Sequence, residues 1–431
     1  MALQKSQIRR GEHKGARDDR ICYDQIVAAN DRYEVVLIGA GIIGSSAAMG
    51  LAERGVRVAV VDVDLSGRLS SSEKNAGGVR ATWWQPVNIT LCRESIRYYE
   101  SIAGEVGFRQ KGYLWLYDEE TWPKACEHLE VQRALGHEIE ALTPAEVNRR
   151  VPEIDRLEGL AGATFSPADG LINPNLLKQH YRMRAIAAGA TFLDRVYVHG
   201  ASAAADEVRL HCSQADAPLS DDDLARLMTD DGAGPARRGR PLELRADAVA
   251  ITTGAWSGYV LKIFGLKNYS DPIRRQICLV DNRATNFAGY GMIVDTSGVY
   301  FHNEAAHILA GYSPPDTPPG RHFDYDGEPF FLAEIWPRMY ARMSCCERMR
   351  HAGGWAGLYE VSPDRSAIVG RAASRVYEAH SFSGRGVMQS YGAGQALAEL
   401  IAEGRYGKFD ASALRRERFA RNQPVLEELH I

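Results

Sequence analysis

From Tyr33 onward the apolar and polar positions fall into blocks that predict a strand, a glycine turn, a helix and a second strand. Residues 34–38 form a short run rich in β-branched side chains, and 56–61 form another. Between them Ala48, Leu51 and Ala52 mark the apolar face of a helix that Gly55 ends. Farther on, Ile89, Cys92, Ile96 and Tyr99 recur at three- and four-residue steps, which predicts a helix over 88–102. The aromatic-rich stretch 108–117 has strand character, and 123–135 reads as a helix. Thr143-Pro144-Ala145-Glu146 has the form of a capping box with proline at the first helical position. A helix over 174–188 precedes a strand that runs through Val198. Residues 213–240, with Asp221-Asp222-Asp223 and Arg237-Arg238, read as a solvated insertion between two strands. Residues 248–257 resume an apolar strand, with Trp256 opening the next helix. From 273 the texture becomes that of antiparallel strands, 327–349 is mostly helical, and a helix is expected over 395–401 behind a run of glycines.

Composition narrows the class without changing this layout. A chain of 431 residues, 45% hydrophobic and 25% charged, has the balance of a globular protein with room for two or three domains. A formal charge of −4 gives no electrostatic basis for binding nucleic acid. No apolar run reaches membrane-spanning length, and the basic N-terminus lacks the apolar core of a secretory signal. Residues 1–32 read as an extension, with a helical piece over 23–29, and 406–431 as a charged surface segment. The 7 cysteines are odd in number, scattered and without a Cys-x-x-Cys pair. Free thiols in a reducing, cytoplasmic compartment are therefore expected.

The first chemistry-bearing motif is Gly39-Ala40-Gly41-Ile42-Ile43-Gly44, set between the two strands, with Asp62 following about 20 residues on. Gly39 permits the tight turn, Gly41 has no Cβ to hold a pyrophosphate off the backbone, and Gly44 lets helix and sheet pack closely. The helix N-terminus offers unpaired N–H groups to phosphate oxygens. Asp62 can accept from both hydroxyls of an unphosphorylated ribose, so the motif predicts FAD or NAD rather than NADP. Residues 65–86 then form a Ser-, Gly- and Asn-rich loop in which Gly77 and Gly78 permit close approach to a flat ring and Arg80 brings a cationic fork. Trp83 and Trp84 either wall a pocket or pack in the core.

Four separated stretches carry a resemblance: 39–62, SSEKNAGGVR at 71–80, TTGAWS at 252–257, and the pair WAGLYEVSPDRSAIVG at 355–370 with FSGRGVMQSYGAGQALAEL at 382–400. In this order they resemble the FAD-dependent amine and amino-acid oxidoreductases of the D-amino-acid oxidase superfamily, the glycine oxidase and sarcosine oxidase group. Within it the chain resembles the FAD-dependent oxidoreductase domain-containing proteins and the FAD subunits of sarcosine and proline dehydrogenases. The resemblance implies an α/β fold in which a discontinuous Rossmann-like FAD-binding domain (33–107, 163–260 and 351–405) alternates with a substrate domain on a large mixed or antiparallel sheet (108–162 and 261–350).

It also implies site residues. FAD would be held by Gly39, Gly41, Ile43, Gly44 and Asp62, by Ser71, Ser72, Asn75, Ala76, Gly77 and Gly78, and by Val196, Thr253, Gly254 and Trp256. Gly384, Arg385, Gly386, Val387 and Met388 would lie against the isoalloxazine. Arg80 is the preferred carboxylate anchor, with Arg385 or Gln389 as helpers, His302 to orient substrate or receive a proton, and Tyr300 as a pocket wall. Gly357 stands where several sarcosine oxidases attach flavin through cysteine, and 71–80 contains no histidine, so FAD is expected to be non-covalent. Met388 replaces the lysine that helps bind substrate carboxylate in sarcosine oxidases. The activity implied is oxidation of the C–N bond of a primary or secondary amino acid, electrons passing to oxygen or another acceptor. A 2-hydroxy-acid dehydrogenase and a flavin-containing assembly protein remain alternatives. The expected partners are a small amine or amino acid, with an electron-acceptor protein or a second copy of the chain left open.

Overall fold

The computed structural model describes residues 32–204, 206–229, 239–281 and 285–429. The helix expected over 23–29 lies outside them. Strand β1 (Arg32–Ile38), helix α1 (Ile42–Ala52) and strand β2 (Val58–Val61) form the parallel unit anticipated from the apolar pattern. All 11 residues of α1 are buried, so it is a core helix rather than an amphipathic surface one. It lies against three others: α2 (Pro86–Ser101), α3 (Pro174–Ala187) and α4 (Gly386–Glu403) enclose the same apolar cluster.

β1 and β2 are central in a sheet of eight strands. Its main path runs Ile368–Ala373, Val376–His380, Arg240–Ile251, β1, β2 and Thr191–Leu193, with Val208–Gln214 paired to the long Arg240–Ile251 strand and Val196–Ala203 paired in turn to Val208–Gln214. The second sheet also has eight strands, ordered Arg350–Val361, Asp271–Asp281, His307–Tyr312, Tyr300–Glu304, Met292–Val294, Tyr113–Tyr117, Gly162–Ser166 and Glu140–Leu142. It is antiparallel except where Met292–Val294 runs parallel to Tyr113–Tyr117. A discontinuous α/β half and a mixed-sheet half are thus both present. The capping box forms as the sequence predicts: Glu146 N–H donates to Thr143 Oγ1, and the Thr143 N–H donates back to Glu146 Oε2 at 2.8 Å.

Four expectations are corrected. Arg350–Val361 pairs along Asp271–Asp281, so 351–361 belong to the second sheet and not to the cofactor half. Gly162–Ser166 likewise belongs to the second sheet. α4 begins at Gly386, well before the expected 395, and runs through Gly392 and Gly394. Those glycines are packing contacts: a Cβ at Gly392 would lie 2.6 Å from Leu91 O, and one at Gly394 would meet the Ser46 side chain. Finally, the supposed solvated insertion contains a helix, Asp221–Thr229, whose Leu224 and Leu227 are buried. The three aspartates sit in its first turn, where the helix dipole favours them.

Candidate active site

One continuous cavity, with about 2250 Å³ of empty space including its mouth, runs from the glycine turn to the second sheet. At its first end β1 delivers Gly39 at φ +102°, a conformation that only glycine adopts without strain. A Cβ at Gly44 would overlap Gly39 O, so this third glycine serves helix–turn packing and does not line the cavity. Gly41 is different, since a Cβ there would approach nothing closer than Ser72 Oγ at 3.6 Å. Its bare face opens on the cavity, as phosphate approach requires.

Around this turn the protein supplies both signs of charge. Asp62 Oδ2 accepts from Ala40 N–H at 2.6 Å and Oδ1 from Asp64 N–H at 3.1 Å, leaving lone pairs for further donors. Burial raises the Asp62 pKa, and those two backbone donors oppose the shift. Arg182 of α3 donates to Ala40 O at 2.6 Å and Leu65 O at 2.5 Å and so braces the turn from behind. Lys178, one helical turn earlier, also lines the cavity and pairs with Glu73. Burial and the nearby Arg182 push the Lys178 ammonium down to about 7. Sequence reasoning passed over this pair, although two cations four residues apart in an otherwise packed helix were a readable signal.

The loop at 70–78 closes over the turn. Ser72 Oγ accepts from Ile42 N–H at 3.0 Å, and Ser71 Oγ donates to Leu358 O at 2.6 Å. Asn75 Oδ1 takes the Gly77 N–H at 2.7 Å. Gly78 lines the cavity, but Gly77 does not: its positive φ and missing Cβ admit the carbonyl of Ile172 instead of a ring. Ile43, Ala76, Val196, Thr253, Gly254 and Trp256 all line the cavity, as do Gly384, Arg385, Gly386, Val387 and Met388. The Asp221–Thr229 helix adds Leu227 and Met228, and Trp256 Nε1 donates to Met228 O at 2.6 Å.

At the second sheet the lining becomes aromatic and cationic. Tyr113, Tyr300 and Tyr359 face the space, with Trp83, Met292 and Ile277. Three guanidiniums converge there: Arg80, Arg275 and Arg385. None of them forms an ion pair with a carboxylate among the described residues. Arg80 donates to Thr82 O and, at 3.3 Å, to Leu429 O, and it lies between Trp83 and Trp115. Its terminal nitrogens are therefore engaged by backbone, and only Nε lacks a partner. In Arg385, 1% exposed, Nε, Nη1 and Nη2 all lack one. Burial, and then repulsion from Arg80, bring its pKa down to about 10, so it remains charged at neutral pH. Arg80, the expected carboxylate anchor, thus has its terminal nitrogens on backbone, and Arg385 is the guanidinium with unengaged donors.

Two other expectations fail on geometry. His302 is buried away from the cavity lining, its ring nitrogens 2.9 Å from Asn303 O and 3.0 Å from Ala76 O. Burial lowers its pKa, and the ring ties the 70–78 loop to the second sheet. Gln389 also lies off the lining, donating to Asn88 Oδ1 at 3.1 Å between α4 and α2. Trp83 proves to be a pocket wall, while Trp84 packs in the core, stacked on His128. Arg275 carried a weak signal: along its strand it shares a face with Ile277, which lines the cavity, and not with Cys278 and Val280, which are core.

The donor set suits FAD. A bare glycine turn, a carboxylate with free lone pairs, and a cleft reaching from that turn to the second sheet fit an extended dinucleotide.

Comparison with known proteins agrees. The chain is 26% identical over 92% of its length to FAD-dependent oxidoreductase domain-containing protein 1 of Xenopus laevis, covering 84% of that protein. It is 24% identical to glycine oxidase of Geobacillus kaustophilus, covering 86% of this chain and 93% of that one. The crystal structure of L-proline dehydrogenase from P. horikoshii superposes with a TM-score of 0.78 over 91% of this chain and 99% of that one, at 22% identity, a likeness of fold. The family model described as FAD dependent oxidoreductase matches residues 34–400. The chain belongs to this family of FAD dependent oxidoreductases and is an enzyme that uses FAD.

Proposed function

We propose that the protein oxidises the C–N bond of an amino acid, primary or secondary, to an imine that water then hydrolyses. FAD supplies the redox chemistry, accepting the hydride equivalent released as the Cα–H bond breaks and the C=N bond forms. The polypeptide's part is to bind, orient and exclude water. The observation that carries this reading is the Arg385 guanidinium, buried and unpartnered at all three nitrogens, in a residue that lines the cavity. An unpaired buried charge costs several kcal/mol, and a substrate carboxylate is its natural complement, meeting the planar fork with two parallel hydrogen bonds. Tyr300 and Tyr359 bound the same space. With Trp83 they form walls that keep a small substrate at a fixed height. No carboxylate base is needed, because an amine that loses its proton on entry can release hydride directly.

FAD is held without a covalent bond in this reading. Gly357 lines the cavity with no side chain to attach, and His380, the histidine in the lining, has one nitrogen on Glu360 and the other on Glu378. A reducing, cytoplasmic setting belongs to the same proposal and is supported by six described cysteines that are all unpaired. Among the described residues no helix is long and apolar enough to cross a membrane. The test is anaerobic titration of the purified flavoprotein with N-methyl, cyclic and primary amino acids, and with 2-hydroxy acids as the control. Loss of the oxidised flavin absorbance with amino acids is expected. Bleaching by hydroxy acids alone, or by none of the compounds, would refute the proposal.

A further inference from the structure

One carboxylate satisfies one guanidinium, yet this cavity presents cations from two walls. Arg385 stands at the N-cap of α4, in the cofactor half. Arg275 comes from the middle of Asp271–Asp281, in the second sheet. Its guanidinium carbon lies 5.4 Å from the Tyr359 ring centroid, and its Nε is buried without a partner. The only hydrogen bond it donates among those described is to Arg274 O, at 3.1 Å. Its neighbour Arg274 shows what pairing looks like on this strand, meeting both carboxylate oxygens of Asp326 at 2.9 and 3.0 Å outside the cavity. Tyr359 joins the two walls, because Arg275 lies over its ring and the ring packs against Gly384, the residue before Arg385. The nearest fixed carboxylates are committed elsewhere. Asp364 pairs with Arg418, Glu360 holds His380, and Glu427 takes the N–H groups of Trp84 and Gln85.

We infer that the substrate carries two carboxylates, one held by Arg385 and the second by Arg275 across the Tyr359 hydroxyl. The preferred class is an amino dicarboxylate, with the second acid on the nitrogen substituent or on the side chain. Arg80, its terminal nitrogens already on backbone carbonyls, adds positive potential from behind without taking a ligand. This rests on the amino-acid reading above only for the oxidation, and not for the binding of two anions.

Binding and turnover are therefore tested separately on the FAD-loaded protein. Thiodiacetate and methylthioacetate differ by one carboxylate and have no C–N bond to oxidise, so perturbation of the flavin spectrum reports their affinities without turnover. Thiodiacetate is expected to bind roughly tenfold or more tightly, the worth of one charge-assisted pair. In Arg275→Leu the ratio should fall toward one, and Arg275→Lys should recover part of it, each variant being checked for retained flavin. Equal affinities in the wild type would overturn the inference, as would an undiminished ratio in a flavin-loaded Arg275→Leu. For turnover, iminodiacetate and N-methylaspartate are compared with sarcosine in anaerobic reduction. A lower half-saturation for either dicarboxylate supports the inference and shows which branch carries the second acid. Preference for sarcosine over both counts against it. Tight thiodiacetate binding with no reduction by any amine would leave the dianion site standing and the oxidation proposal refuted.

Discussion

The guanidinium carbons of Arg80 and Arg385 both lie against the indole of Trp83, 3.4 and 4.6 Å from its ring centroid. The negative π-cloud of the ring attracts both like charges in a water-poor space. Arg80 is further anchored by Trp115 and two backbone carbonyls, which leaves Arg385 as the cation with unused donors.

Replacing Arg385 should separate activity from stability. In Arg385→Leu, kcat/KM for an amino-acid substrate is expected to fall about 10- to 100-fold, matching about 1.5–3 kcal/mol for a hydrogen bond to a charged group. Thermal stability of the ligand-free protein should hold or rise, because an unpaired buried charge is removed. Steady-state kinetics and a melting curve on the same preparation check both halves.

Gly44→Ala tests the glycine turn. The new Cβ would overlap Gly39 O and sit 2.6 Å from Thr252 Oγ1, neither on a flexible side-chain end. A loss of about 1–3 kcal/mol from overpacking is expected, with FAD retention reduced at the same time. Denaturant unfolding and the ratio of flavin to protein absorbance report it.

Asp62→Ala removes an acceptor from the Ala40 N–H and from the adenosine ribose that the site is proposed to hold. FAD affinity should weaken about 10- to 100-fold, by the same worth of a charged hydrogen bond. Fluorescence of released flavin on dilution measures it.

His380 predicts a pH signature. It is fully buried, which alone would lower its pKa, but Glu360 and then Glu378 overcome this and raise it to about 9. A histidine raised in the folded state stabilises fully below its unfolded value near 6.5, and that stability is lost as pH rises through about 9. The wild type should lose up to about 3 kcal/mol between pH 6 and 10 from this group. His380→Gln should start less stable and show a flatter profile. Urea unfolding across that range decides.

Non-covalent attachment predicts a simple result. Acid precipitation should leave the yellow colour in the supernatant and a colourless pellet, read by absorbance. A yellow pellet would assign a covalent link.

The nucleotide-binding half was legible because its signals are local. The strand–turn–helix unit, Asp62 and the Ser71–Ser72 loop all appear where short-range pattern placed them. What escaped depended on distant neighbours. Gly392 and Gly394 read as preceding the helix because glycine is a poor helix former, yet they lie within it, where Leu91 and Ser46 on facing helices leave no room for a Cβ. Leu224 and Leu227 sat inside an acidic stretch that looked solvated, although their three-residue spacing was visible. Gln389 follows Met388 directly in α4, and one step of helical rotation takes it from the cavity into the contact with Asn88. His302 lies in the strand of Tyr300, on the right element, but is used as a tie to Ala76. Arg275 was only faintly readable, by sharing a strand face with Ile277, because its lack of a carboxylate partner is revealed by tertiary structure alone.

A crystal structure of the FAD-loaded protein with a bound non-reactive amino-acid analogue tests the central claim most directly. The account predicts pyrophosphate on the bare face of Gly41, the flavin ring at the aromatic end, and the analogue's carboxylate within hydrogen-bonding distance of two Arg385 nitrogens. A carboxylate bound elsewhere, with Arg385 turned onto protein carbonyls, would contradict it.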